Sequence, residues 1–591
     1  MPLQLRLRDL VDESLVKHIA RAAPDELAPQ LGRIVNMLLR DRARHITAEG
    51  VPFVKLTVPT DTFKAVLREL FETLDRGGVF TKWLNLDMGS GKTHLLALIV
   101  YLLDAYHELE EHLEDYRKLG LKREVVEKTA LLAIDLRTPS AIMDTFLPFF
   151  AESLEKAGEL DAASYVRQCV ERGRPPEASE LVRKLRRDTR LVVIIDELHH
   201  AILTYRDAEE ERRLVRWAID FTVRLMNYLR HHGRGFAVLI ASARRDYERL
   251  LQLGVVDELS VASDSLISQV GRLEAILETR WLSVGEARQV TLRRLGARED
   301  ILHRLFDKLI ERVVKAESDI PQAQHLRTLI KAMAVYTRNA IELGHSKVTP
   351  ASFEEGVLDA LFPEGGGIAD RYKSVYSQVV REIEAVEGLS GGMKQLAKLV
   401  VNVVFTMSVT GRPDQLIETI RAYRLGKYRD ELLPALHEED IVDVLRDLGY
   451  SDKEIGEAIK VASSLPYIHS VKIGKSYLYF VVPVESVTAI FRGLIESNFK
   501  RNLENKERII DDFLGALQVV GGGVERAQVT VVSDYRGLES STRGLSPDAM
   551  HIVVYAEPEL ARYISENVKQ QRDVDRLVRE WFGGKGRRDI L

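Results

Sequence analysis

Leu86-Asp87-Met88-Gly89-Ser90-Gly91-Lys92-Thr93-His94 is the stretch that decides the fold of this 591-residue chain. The apolar run Val79 to Leu86 before it reads as a short strand, and the Leu-rich run Thr93 to Tyr106 after it reads as a helix. Glycines between a strand and a helix let backbone N–H groups curl around an anion without a Cβ in the way. The helix N-terminus adds unpaired donors and a favourable dipole. In such a phosphate loop Lys92 reaches the β- and γ-phosphates of ATP, and the Thr93 hydroxyl ligates Mg²⁺. Met88, Gly89, Ser90, Gly91, Lys92, Thr93 and His94 are therefore the candidate nucleotide-binding residues. The full motif opens on a glycine where this chain has Leu86, so the Gly-Lys-Thr core carries the reading.

A second element strengthens it. Leu191-Val192-Val193-Ile194-Ile195 is a continuous apolar strand, of the type buried on both faces of a parallel sheet, and it runs into Asp196-Glu197. The C-terminal edge of such a strand faces the nucleotide. Asp196 is expected in the Mg²⁺ shell and Glu197 beside the attacking water; in isolation the two acids could equally cap the next helix. Ser242 ends the following strand, Phe236 to Ser242, where it would contact the γ-phosphate or water or simply fill the core. Arg244, Arg245 and Arg280 are candidate arginine fingers, supplied in cis or by a neighbouring subunit. His199 and His200 read as helix-start residues rather than metal ligands.

Strands alternating with helices between about 61 and 283 argue for an α/β class, a P-loop (AAA+/ASCE-like) parallel-sheet sandwich. A helical segment, 1–60, precedes it, with helices from Asp9 to Ala22 and from Pro29 to Arg42. Residues 284–430 read as a helical lid and helical region. In 436–483 the order helix, helix, hairpin suggests a winged-helix-like module, placed at 431–486. Ser451 with Glu454 forms a capping box there, and Lys472-Ile473-Gly474-Lys475 the hairpin tip. Winged helices bind double-stranded DNA or dock proteins, and both readings stand. Residues 487–591, with strands at Gln528–Ser533 and His551–Tyr555, suggest a small C-terminal α/β domain.

The formal net charge of -5 gives no global basic field to attract nucleic acid. Locally, Arg183 to Arg190 is a sharp basic run that would either neutralise phosphates or form a solvated helix face. The single Cys169 fits a reducing cytoplasm. No apolar run approaches bilayer length and Met1-Pro2-Leu3-Gln4-Leu5-Arg6 does not open a signal peptide, so no membrane association is expected.

The run from Thr62-Phe63 through Leu67, Leu70-Phe71 and Leu84 to Gly89-Ser90-Gly91-Lys92-Thr93-His94-Leu95-Leu96 resembles large AAA+-like ATPases of a domain-of-unknown-function family. The loop in that family usually reads Gly-Gly-Gly-Lys-Thr-His before a Leu-rich helix, and His94 is the telling residue. Trp281-Leu282-Ser283-Val284 and Arg293-Arg294-Leu295 continue the likeness. Members resemble the PglY ATPases of BREX-type anti-phage systems and are encoded beside DNA methyltransferases and helicases. The resemblance implies a homo-oligomeric ATPase near DNA, with a methyltransferase or nuclease as partner. An origin-recognition-like initiator, or a nucleotide-gated scaffold with slow hydrolysis, is the alternative.

Overall fold

The computed structural model describes residues 6–22, 27, 29–40, 52–86, 91–205, 208–253, 258–270, 282–315, 326–362, 367–409, 436–465, 467–473, 476–481, 527–532 and 550–555. The chain divides into two compact units, 1–365 and 366–591. No helix among the described residues is long and apolar enough to cross a membrane.

Four strands form the sheet of the first unit: β1 (Val79–Leu86), β2 (Thr129–Asp135), β3 (Arg190–Asp196) and β4 (Phe236–Ala243). Their order is β1-β4-β3-β2 and every pairing is parallel. An additional strand, β4, thus separates the loop strand from the acid strand, which is the P-loop α/β sandwich of ASCE type read from the sequence. Every residue of β2 and β4 is buried, because helices cover both faces of a parallel sheet. The expected fifth strand, Arg272 to Arg280, lies outside the described residues.

Register decides what meets at the C-terminal edge. Asp135 pairs with Asp196, Ile195 with Ile240, and Asn85 with Ser242. The helix Lys92–Asp104 leaves that edge with nine consecutive buried residues, Leu95 to Leu103. A helix apolar on all sides must be enclosed on all sides, and this one sits inside the core.

The N-terminal residues join that core rather than standing apart. Leu31, Ile34, Val35 and Leu38 of the helix Leu31–Arg40 are buried in the same apolar cluster as the sheet. The stretch expected as one helix from Asp9 to Ala22 is two, Leu7–Leu10 and Glu13–Arg21. Asp12 explains the break: its Oδ1 accepts from Ser14 N and Leu15 N, capping the second helix. Asp12→Ala should lower stability by about 1 kcal/mol, read from a denaturant midpoint.

Beyond the sheet, Ser283 and Glu286 form a capping box on the helix Val284–Arg294. Glu286 Oε1 also accepts from Asp61 N at 2.8 Å, tying this first helix of the helical region to the start of the helix Asp61–Asp75.

The second unit holds the helices Gly367–Ala385, Gly391–Ser408, Glu438–Asp447 and Asp452–Ser463. Its strands β5 (Leu436–His437), β6 (Ile468–Ile473) and β7 (Ser476–Val481) form an antiparallel sheet in the order β5-β7-β6. From β5 onward the described order is strand, helix, helix, hairpin, and the helix Gly391–Ser408 packs against it. Its Ser408 Oγ accepts from Val481 N at 2.8 Å, joining it to the hairpin. A parallel pair, β8 (Ala527–Val532) and β9 (Met550–Tyr555), lies farther along the chain.

Candidate active site

The described candidate residues lie where β1, β3 and β4 end. Gly91 caps the helix Lys92–Asp104 in the left-handed region, at φ 86°. A Cβ there would rest in ordinary contact with Phe63 Cζ at 3.4 Å, so it is the left-handed backbone, not packing, that favours glycine at position 91. Gly91→Ala should cost roughly 1–2 kcal/mol in unfolding free energy, read by chemical denaturation. Lys92 and Thr93 form the first helical turn, half-buried. Met88, Gly89 and Ser90, and likewise Arg280, lie outside the described residues.

Across the sheet, Asp196 is 1% exposed. Its Oδ1 accepts from Glu197 N at 3.0 Å, whereas Oδ2 has no well-formed hydrogen bond. The Thr93 hydroxyl nevertheless lies close enough to favour the ionised Asp196 carboxyl. Burial is the main influence on this acid and, with the charges of Asp135 and Glu197, pushes its pKa up to about 7; Thr93 and Arg137 oppose that rise. A buried carboxylate beside a hydroxyl on a helix N-terminus offers hard oxygen ligands of the kind Mg²⁺ takes. The residues present fit the ion.

Glu197 follows in a conformation unusual for its type. It is the only non-glycine residue with positive φ among the described residues, at φ 61° and ψ 37°. It caps the helix Leu198–Thr204, whose first backbone bond runs from Ala201 N to Glu197 O at 3.0 Å. Left-handed backbone costs an L-residue about 1–2 kcal/mol, so the surrounding structure holds this acid at the sheet edge against a local preference.

Ser242 is buried at the end of β4, and its Oγ accepts from Trp83 Nε1 at 2.6 Å. Trp83 in turn packs against His199 and Tyr247, with ring centroids 5.7 and 5.1 Å away. Burial lowers the His199 pKa to about 3, so the ring is a neutral core residue. Arg244 and Arg245 open the helix Arg244–Gln252 directly after β4, on the same edge of the sheet. A cleft of about 200 Å³ between this helix and Leu198–Thr204 is lined by His200, Thr204, Asp246 and Leu253 among others, and by none of the nucleotide-motif residues.

His94 packs on the segment around Asp61. Its Nε2 lies 2.8 Å from Thr57 Oγ1, and its ring packs on Phe53 at 4.6 Å and Phe63 at 6.1 Å. Burial, then the nearby Arg294 charge, lowers its pKa to about 3. It joins the helix start to the segment before Asp61, a role that the sequence signal at His94 did not disclose.

Two residues at the edge escaped the sequence reading. Asp135 ends β2 beside Asp196, and Arg137 pairs with it through Nε–Oδ1 at 3.0 Å and Nη2–Oδ2 at 2.7 Å. Burial disfavours the Arg137 cation, but Asp135, with Asp196 and Glu197 beyond it, outweighs this and raises its pKa. The available signal was an apolar strand ending in Asp-Leu-Arg, the same pattern that marked β3.

The basic run is largely occupied within the fold. Arg183 pairs with Glu180, Arg186 with Glu159, and Arg190 donates to the carbonyl oxygens of Leu74 and Asp75. The Arg183 and Arg186 side chains nevertheless stay more than half exposed.

No family model and no curated protein sequence matches the chain. Solved structures of similar chain path do exist. The ORC2 protein of Aeropyrum pernix, in its ADPNP-ADP complexes, aligns with 14% identity over 75% of this chain and 95% of that one, at a TM-score of 0.32. Its ADP form gives 13%, 76%, 95% and 0.30. CDC6P of Pyrobaculum aerophilum gives 12% identity, 73% and 94% coverage, and a TM-score of 0.30. Likeness of this size leaves the functional case to the side chains described above.

Proposed function

We propose that the chain binds ATP-Mg²⁺ at the C-terminal edge of its parallel sheet and hydrolyses it. The observation that supports this most is the approach of the Thr93 hydroxyl to a buried Asp196 whose Oδ2 lacks a proper donor. Lys92 would neutralise the β- and γ-phosphates, and Thr93 and Asp196 would hold Mg²⁺, which supplies charge stabilisation to the transferring phosphoryl group. Glu197 would orient and polarise the attacking water. Ser242 could contact that water or the γ-phosphate, and Arg244, Arg245 or Arg280 could complete the pocket of a neighbouring copy. Lys92→Ala should abolish binding of a fluorescent ATP analogue while leaving the thermal midpoint in place. Unchanged affinity would remove Lys92 from the pocket.

The larger role we assign is that of an AAA+-type motor or switch, working as a homo-oligomer on double-stranded DNA or a DNA-bound protein. The winged-helix-like order of the second unit supports it. A nucleotide-gated scaffold is the second reading, and the helix Asp452–Ser463 favours it: exposed Asp452, Glu454 and Glu457 outnumber Lys453 and Lys460. ATP turnover raised several-fold by duplex DNA would support the motor; nucleotide-dependent complex formation without stimulation would support the scaffold or an initiator. An anti-phage setting, with a methyltransferase or nuclease partner, rests on the resemblance around His94 alone.

A further inference from the structure

The edge of the first unit's sheet opposite Asp196, where the strands begin, is rich in cations. Arg190 opens β3, and Arg234 stands two residues before β4. The segments 183–190 and 230–234 that carry them hold seven arginines and lysines and one acid, Asp188. Arg234 Nη1 donates to the Arg186 carbonyl at 3.2 Å, which makes the two segments one surface. The neighbouring acids are engaged. Asp188 pairs with Lys128 at 3.1 Å, and Glu180 with Arg183. Glu159, whose side chain is 1% exposed, accepts from Arg186 Nε at 2.7 Å and from the Thr189 hydroxyl. Arg187 is exposed and has no ion pair among the described residues. Arg234 Nε is buried without an acceptor. Burial lowers the Arg234 pKa, Glu159 opposes that, and the charge of Arg187 lowers it further. Two guanidiniums close enough to repel, one with a buried donor unmet, call for an anion.

We propose that this edge binds the phosphate backbone of duplex DNA, independent of sequence, with Arg183, Lys184 and Arg187 as the contacting cations. All three are exposed. The proposal rests on the reading that the chain works on double-stranded DNA, and it names the surface that reading lacks. A duplex carries one negative charge per about 1.7 Å of axis, so several cations on one face neutralise several phosphates together. The helix Asp452–Ser463 does not suit that task, since its exposed acids outnumber its lysines. Arg186 and Arg190 serve the surface differently. Arg186 Nη2 donates to the Ala157 carbonyl at 2.8 Å, and Arg190 Nη2 to the Asp75 carbonyl at 3.1 Å. Both fasten the run to the domain, with Arg187 left exposed between them. Phosphate contacts of this kind fix position and carry no sequence information.

The test follows the fluorescence anisotropy of a short labelled duplex of arbitrary sequence, titrated with the full chain over a series of salt concentrations. The triple variant Arg183→Gln/Lys184→Gln/Arg187→Gln should bind at least tenfold more weakly at low salt. Its plot of log affinity against log salt should be shallower by about 2–3, since each lost phosphate contact removes roughly 0.9 from the slope. Arg187→Glu alone should weaken binding several-fold, and gives a separate reading should the triple variant not fold. Lys453→Gln/Lys460→Gln, on the helix Asp452–Ser463, should keep the wild-type slope. A folded triple variant with wild-type affinity and slope overturns the proposal, and so does a loss confined to the Lys453/Lys460 variant. If the triple variant loses only binding to phosphatidylserine vesicles, the edge is a membrane surface and the proposal falls. Wild type that binds no duplex at any salt concentration would instead overturn the DNA reading on which it stands.

Discussion

Asp196→Asn should raise the thermal midpoint of the nucleotide-free protein at about pH 8 and, on the proposed function, abolish Mg²⁺-dependent ATP turnover. The two effects have one cause. Asp196 is buried beside Asp135 and Glu197, and its pKa in the folded chain is about 7, against about 3.9 for an aspartate in an unfolded chain. Between those values the native state binds the proton and the unfolded state does not. The stability that this one group contributes is therefore fully present below about pH 4 and is lost as pH rises through about 7, where the carboxylate is ionised in both states. Asparagine keeps the shape and never ionises, so the variant should show a flatter midpoint-against-pH curve from pH 4 to 8 by calorimetry. A wild-type curve already flat over that window would contradict the burial account. The same substitution deletes the open oxygen offered to the metal, and Mg²⁺-dependent turnover should fall to background in a coupled phosphate-release assay. Conversely, Mg²⁺ with nucleotide should strengthen the wild type more at pH 8 than at pH 6, because binding requires the ionised acid.

Glu197→Gln should lower kcat by about 10²–10⁴ while leaving nucleotide affinity near that of the wild type. Glutamine retains the side chain's length and the capping position of Glu197 but cannot accept the proton of an attacking water. The backbone gives this position a second, separable signature. Glu197 sits at φ 61° and ψ 37°, where glycine is at ease and other residues are strained. Glu197→Gly should thus lose turnover as fully as the glutamine variant yet unfold at a denaturant concentration at least as high as wild type. Strain is tolerated at sites where a side chain must be presented in one direction. Normal turnover in the glutamine variant would take Glu197 out of its assigned part.

The motor and scaffold readings differ in what they ask of the second unit. Its order of elements is winged-helix-like, but the exposed face of Asp452–Ser463 is weakly acidic, which does not suit phosphate neutralisation.

The parallel α/β fold and the candidate site at its edge were legible in the sequence because their signals are local. A glycine-rich turn between an apolar strand and an apolar helix, and a second apolar strand ending in two acids, each need only neighbours in the chain to be recognised. Strand β4 was equally plain as an apolar run, as was the capping box at Ser451. Which strands lie side by side was not written locally. Register placed Asp135 beside Asp196, though they stand 61 positions apart in the chain. That pairing turned two unremarkable residues, Asp135 and Arg137, into part of the site. Long-range packing also sent His94 to Thr57 and Phe53, tied Ser242 to Trp83, and drew the helix Leu31–Arg40 into the core. Sequence periodicity specifies which face of an element is apolar; only the sheet order and its register decide which charges must share the space where the strands end.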